Sequence, residues 1–139
     1  MVILNRGQRS GVKKPFRLEE IWRIRTRLEI EDNLMQLALF NLAIDSKLRA
    51  SDLLSLKVCD VSSQDRMFNR VKHIQKKTGI EVQFEITART QQSLMKWLLL
   101  ASLSASDFIF SSPRLKQQSI SYSYYRRRVD DTCCQVPPP

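Results

Sequence analysis

The sequence has little histidine, little glycine, little acid and no cysteine pair of the metal-binding kind. Its 139 residues include one histidine, three glycines and three cysteines. Cys59 stands alone, Cys133 and Cys134 are adjacent, and no Cys-x-x-Cys occurs. A zinc site built from Cys and His is therefore not expected. Cys59 beside Val58 reads as a buried thiol. Long apolar runs are also missing. The stretches 34–44 and 98–103 are too short to cross a bilayer. Met1-Val2-Ile3-Leu4, followed at once by Arg6, is too brief for the core of a secretory signal. A cytoplasmic chain with no membrane partner is the expectation. Against 14 acidic residues stand 23 Lys and Arg, a net charge of +9. On a chain of one domain's length such a surplus points to a polyanionic partner, nucleic acid foremost. A solubilising surplus that binds nothing specific is the competing explanation.

The positive charge is grouped. Residues 1–17, 66–77 and 114–128 contain basic side chains and no acid. Residues 1–14, with Arg6, Arg9, Lys13 and Lys14, read as a basic arm or linker remnant. Residues 132–139, ending Pro137-Pro138-Pro139, have no periodicity and read as a disordered tail. No internal repeat occurs between them.

Hydrophobic periodicity outlines the rest. From Phe16 to Leu28, apolar residues Leu18, Ile21, Trp22, Ile24 and Leu28 recur at helical spacing, with Glu19 and Glu20 where the helix dipole favours acid. Residues 31–44 form a helix apolar around most of its circumference, hence central and buried. Asp45-Ser46-Lys47 breaks it, and Arg49 to Leu56 is a short third helix. Residues 56–61 suggest a strand, 68–75 a second and 80–86 a third. In the last, Ile80, Val82, Phe84 and Ile86 alternate with polar residues around a Thr78-Gly79 turn. Thr87 caps a further helix to about Leu103, with Leu94, Trp97, Leu98 and Ala101 inward. Phe108-Ile109-Phe110 is a short buried segment, and 119–130 reads as a last helix.

Two features can carry chemistry. Arg49 opens a short helix after a buried one, where a planar five-donor fork can meet a phosphate; Asp52, three residues on, could hold it. On spacing alone such an arginine is an ordinary residue of a helix corner, with Asp52 a first-turn acid. Lys76 and Lys77 sit at a hairpin tip, suited to a phosphate or to protonating a leaving oxygen. Turn lysines kept for solubility are equally common.

The combination is more specific. A buried helix, Leu48-Arg49-x-x-Asp52-Leu53, a segment ending in Asp60-Val61, a hairpin with Lys77-Thr78-Gly79, a Thr87-capped helix with Trp97, and Asp107-Phe108-Ile109-Phe110 follow in order. This series resembles the tyrosine recombinases of the phage integrase family over most of the chain. The resemblance implies an α+β, mostly α-helical fold, with helices around a small three-stranded antiparallel sheet. Residues 15–131 would be a partial catalytic domain. It also implies double-stranded DNA as substrate, other recombinase protomers as partners, and neither metal, cofactor nor small-molecule substrate. The phosphate-contacting arginine falls on Arg49, its supporting acid on Asp52 and the hairpin lysine on Lys77. DNA-backbone contacts are expected from Lys13, Lys14, Arg70, Lys72, Lys76, Arg126, Arg127 and Arg128.

The departures are informative. The family usually places glycine just before its Leu-Arg pair; here it is Lys47, acceptable if the turn avoids a left-handed conformation. The family continues with His-x-x-Arg, a further His or Trp and a nucleophilic Tyr. His73 precedes Lys77 and is followed by Ile74-Gln75-Lys76, so it is expected to be a half-exposed structural residue. Tyr122, Tyr124 and Tyr125 precede the place of that motif and read as packing residues. The expectation is a DNA integration and recombination protein that is catalytically incomplete over these residues, its ending consistent with a frameshift or premature stop. The alternative is a small basic, non-enzymatic DNA- or RNA-binding regulator.

Overall fold

In the computed structural model, the described residues are 17–64, 66–111 and 119–121. Five helices and two small antiparallel ladders occur among them: α1 (Leu18–Ile30), α2 (Leu34–Ser46), α3 (Ala50–Leu54), α4 (Val58–Val61), β1 (Ser62–Ser63), β2 (Arg66–Met67), β3 (Arg70–Ile74), β4 (Glu81–Glu85) and α5 (Ala88–Ala101). The arm 1–14, the C-terminal tail, and residues Lys13, Lys14, Tyr122, Tyr124, Tyr125, Arg126, Arg127 and Arg128 lie outside them.

α2 is the central element, packed between α1 and α5. Leu37, Ala38, Leu39, Leu42 and Ala43 are buried around its circumference, as its composition requires. Asn33 begins it, its side chain accepting from the Gln36 amide at 3.3 Å. Asn41, fully buried, accepts from Arg25 Nε of α1 at 2.6 Å and donates to Ser93 Oγ of α5 at 3.2 Å. A buried amide is costly unless both its ends are engaged, and here they are.

α1 buries Ile24 and Leu28, but Leu18 and Trp22, which share their helical spacing, are exposed. Trp22 instead lies between two guanidinium groups, Arg25 at 5.2 Å and Arg89 at 4.6 Å from its ring centroid.

The expected strand at 56–61 is replaced. Lys57 makes an isolated antiparallel bridge with Phe108, and one turn of helix follows. Two facts account for this. Val58 and Val61 are both buried, a spacing of three that fits a helix, and Asp60 Oδ2 accepts from the Lys57 amide at 2.8 Å. The same turn places Cys59 on the outside, so the thiol is exposed rather than buried. With that strand gone, the three-stranded sheet resolves into two two-stranded ladders, β1–β2 and β3–β4.

In the β3–β4 ladder Arg70 faces Glu85, His73 faces Val82 and Ile74 faces Glu81. Val71 and Phe84 are buried, whereas Ile80, beyond the start of β4, is exposed. The connection turns through Gly79 at φ 70°, with Gly79 N donating to Gln75 O at 2.8 Å. α5 docks through Leu94, and Trp97 Nε1 donates to Ile109 O at 2.7 Å. Ile109 and Phe110 are fully buried, as the Phe108-Ile109-Phe110 pattern predicts. Ser119 pairs with Ser111 in extended backbone, and Ile120 N donates to Phe110 O. The helix expected from 119 therefore does not begin there; residues 122–130 are outside the described set. Among the described residues no helix is long and apolar enough to cross a membrane.

Candidate nucleic-acid interface

The corner between α2 and α3 aims Arg49. Asp45, near the end of α2, accepts from both the amide and the hydroxyl of Thr87 at 2.9 Å, tying the corner to the start of α5. Ser46 Oγ accepts from the Leu48 amide at 3.3 Å, and Leu48 is buried. Between them Lys47 adopts φ 56°, ψ 24°. The turn is left-handed after all, and a lysine occupies a position that favours glycine.

Arg49 is the N-cap residue of α3, in extended conformation. Its side chain is partly buried, and one terminal nitrogen is fully enclosed with no hydrogen-bond partner among the described residues. The expected support from Asp52 is not made. Asp52, fully buried one turn along α3, points its Oδ1 at the hairpin, where it accepts from Lys76 N and meets His73 Nε2, both at 3.0 Å. Its Oδ2 is buried without a partner among the described residues. The physical reason is reach. Asp52 is the only acid on α3, and the hairpin brings the Lys76 amide and the His73 imidazole to its Oδ1.

Burial alone pushes the Asp52 carboxyl up. The Lys76 amide, the His73 hydrogen bond and the charges of His73 and Lys76 outweigh it, and the group is held below the usual carboxylate range. One carboxylate thus joins the arginine-bearing turn to the lysine-bearing hairpin. Lys76 and Lys77 are exposed at the tip, as expected.

Other expected contacts are placed differently. Arg70 is exposed but paired with Glu85 across the ladder at 2.7 Å. Segment 66–77 contains no acid, yet β4 brings Glu81 and Glu85 beside it, so part of its charge is neutralised locally. Lys72 is exposed on the same face as Arg70. His73 is the residue that sequence reasoning undervalued. Strand parity was the available signal: His73 shares the inward side with Val71, while Arg70 and Lys72 share the outward one. Among the described residues no three His, Cys, Asp or Glu side chains gather as a metal site requires.

The phage integrase family profile matches residues 15–135, and the chain belongs to that family. Solved structures share the fold. XerA recombinase superposes with a TM-score of 0.73 at 17% identity, over 93% of this chain and 44% of that one. The lambda integrase catalytic core superposes at 0.59 and 18% identity, over 91% of this chain and 75% of its own. Lambda integrase bound to DNA gives 0.55 and 20% identity, over 89% and 46%. The chain therefore spans less than half of the XerA recombinase it resembles. No curated protein sequence matches it significantly.

Proposed function

We propose that this chain is the DNA-engaging part of a site-specific recombinase, in which Arg49 and Lys77 approach the phosphate at which strands are exchanged. One observation carries the reading: a guanidinium nitrogen of Arg49 is enclosed without a partner among the described residues, three residues before a carboxylate committed to the hairpin of Lys77. A guanidinium with an enclosed nitrogen and no ion pair among the described residues is set for an external anion, and duplex DNA supplies one at every nucleotide. Lys72 and Lys76 on the hairpin would contact flanking phosphates, with Arg70 contributing once Glu85 releases it. Lys13, Lys14, Arg126, Arg127 and Arg128 would add backbone contacts on either side. Association with further recombinase protomers on DNA, and action in the cytoplasm, belong to the same reading, which requires no metal or cofactor for these contacts. The lambda integrase structures in dimeric and tetrameric DNA complexes are consistent with it.

The single histidine, His73, precedes Lys77 and is held by Asp52, and no His-x-x-Arg motif with a later tyrosine occurs among these residues, so these residues alone are expected to bind DNA without cleaving it. A non-enzymatic DNA-binding regulator is the second reading, favoured by the surplus of positive charge.

The test is duplex binding across a salt series. Affinity should fall with salt with a slope of roughly −0.9 per phosphate contacted. Lys77→Ala should reduce that slope by about 1. Equal binding by wild type, Arg49→Ala and Lys77→Ala would refute the phosphate role. A covalent adduct with a nicked duplex, abolished by Tyr122→Phe, Tyr124→Phe or Tyr125→Phe, would refute the expectation of binding without cleavage.

A further inference from the structure

We propose that His73 is a positioning residue that fixes the direction of the lysine hairpin relative to Arg49. It acts through Asp52 and touches no DNA itself. The inference rests on the reading above, in which Arg49 and Lys77 serve one phosphate.

The geometry is a two-point attachment. The root of the β3–β4 hairpin is held by Ile86 N on Asn69 O and by Gln91 Nε2 on Asn69 Oδ1 and Ile86 O. These bonds lie far from the tip. The tip half is tied to the arginine-bearing turn at Asp52 Oδ1, through the Lys76 amide and the His73 ring. A single amide bond leaves a hairpin free to swivel about it. A second bond to the same oxygen, from a side chain three residues earlier, removes that freedom. His73 suits this task. Its side chain is 14% exposed and that of Asp52 1%, so the bond is shielded from competing water. A carboxylate only accepts, so Nε2 carries the proton in this contact. The ring has two side-chain torsions, so its reach is set by a stiff plane rather than a flexible stem. Lys77 follows Lys76 directly, and its backbone inherits whatever direction the clasp imposes.

The carboxamide nitrogen of glutamine falls near the position of imidazole Nε2, whereas that of asparagine stops near Nδ1. His73→Gln should therefore retain the clasp, and His73→Asn and His73→Leu should lose it. Binding of a short duplex at low salt is the first measurement. We expect His73→Leu to weaken binding roughly fivefold and His73→Gln to stay within about twofold of wild type. In a Lys77→Ala background, His73→Leu should add almost nothing, because the residue acts through that lysine. A structural role would instead weaken both backgrounds equally. The second measurement, hydrogen exchange at the Lys76 amide of the free protein, needs no DNA. Protection should fall several-fold in His73→Leu and persist in His73→Gln. If leucine prevents folding, His73→Asn replaces it in both measurements. Wild-type affinity in the folded Leu or Asn variant, or equal losses in both backgrounds, overturns the proposal. If Arg49→Ala and Lys77→Ala bind like wild type, the phosphate reading fails; the exchange measurement then decides the clasp by itself.

Discussion

Replacing Asp52 by asparagine removes the charge of the clasp and keeps its shape. In the wild type, Asp52 Oδ1 is an ionised acceptor for two donors. Hydrogen bonds to a charged partner contribute about 1.5–3 kcal/mol, against about 0.5–1.5 for neutral ones, so two bonds lose roughly 2 kcal/mol in all. The buried, unpartnered Oδ2 works the other way, since neutralising it relieves some desolvation. The net cost of Asp52→Asn near neutral pH is about 1–2 kcal/mol. Asp52→Ala also strands two donors and should cost about 3–4 kcal/mol. The sign of the pH dependence follows from the lowered native value. Between the native and the unfolded values the unfolded state binds the extra proton. The contribution is therefore complete above the ordinary carboxylate range and is lost as pH falls through the native value. Urea unfolding followed by circular dichroism, from neutral pH to about pH 3, measures it. The gap between wild type and Asp52→Asn should close on acidification. A gap of constant size, or one that widens toward acid, would refute the account of a charge-stabilised clasp.

Arg49→Ala should leave the melting temperature unchanged or raise it slightly while weakening DNA binding, because Arg49 has no bond to Asp52 and one enclosed nitrogen is unpartnered. A loss above about 2 kcal/mol would show instead that it anchors the fold. Lys47→Gly should stabilise by about 0.5–1 kcal/mol, the left-handed penalty of about 1–2 exceeding glycine's greater freedom in the unfolded chain. A melting temperature lowered by that substitution would mean that the Lys47 side chain contributes packing or charge.

Local patterns were legible in the sequence and non-local partnerships were not. The β4 alternation, the Gly79 turn and the apolar circumference of α2 all follow from periods that a window of ten residues reveals. Val58–Val61 misled because four residues with apolar ends fit a strand as readily as one helical turn; the Asp60 cap decided it. Lys47 misled because the sequence offers a poor residue for its backbone, and the left-handed turn shows only in the ties around it, Asp45 to Thr87 and Ser46 to the Leu48 amide. Asp52 was expected to hold Arg49, and its bonds go instead to His73 and the Lys76 amide. Its actual bonds reach 21 and 24 residues along the chain, a distance at which spacing carries no information.

The apolar interior is divided. Ile24, Leu28 and Leu37, with Phe40 against them, form a small cluster separate from the main one, which spans α2 to Ile120. Among the ties of α1 are the Arg25–Asn41 bond, the exposed Arg89–Glu29 pair and the arginine-flanked Trp22. Two aliphatic side chains from α1 contribute about 1.5–3 kcal/mol each, less than a whole domain's stability. A seam therefore runs between the first helix and the rest. The expected outcome is faster amide exchange in α1 than in α2, measured by hydrogen exchange; equal protection of the two helices would refute it. The first helix is thus the element whose packing rests on the smaller of the two apolar clusters, apart from the one that carries the Arg49 corner and the lysine hairpin.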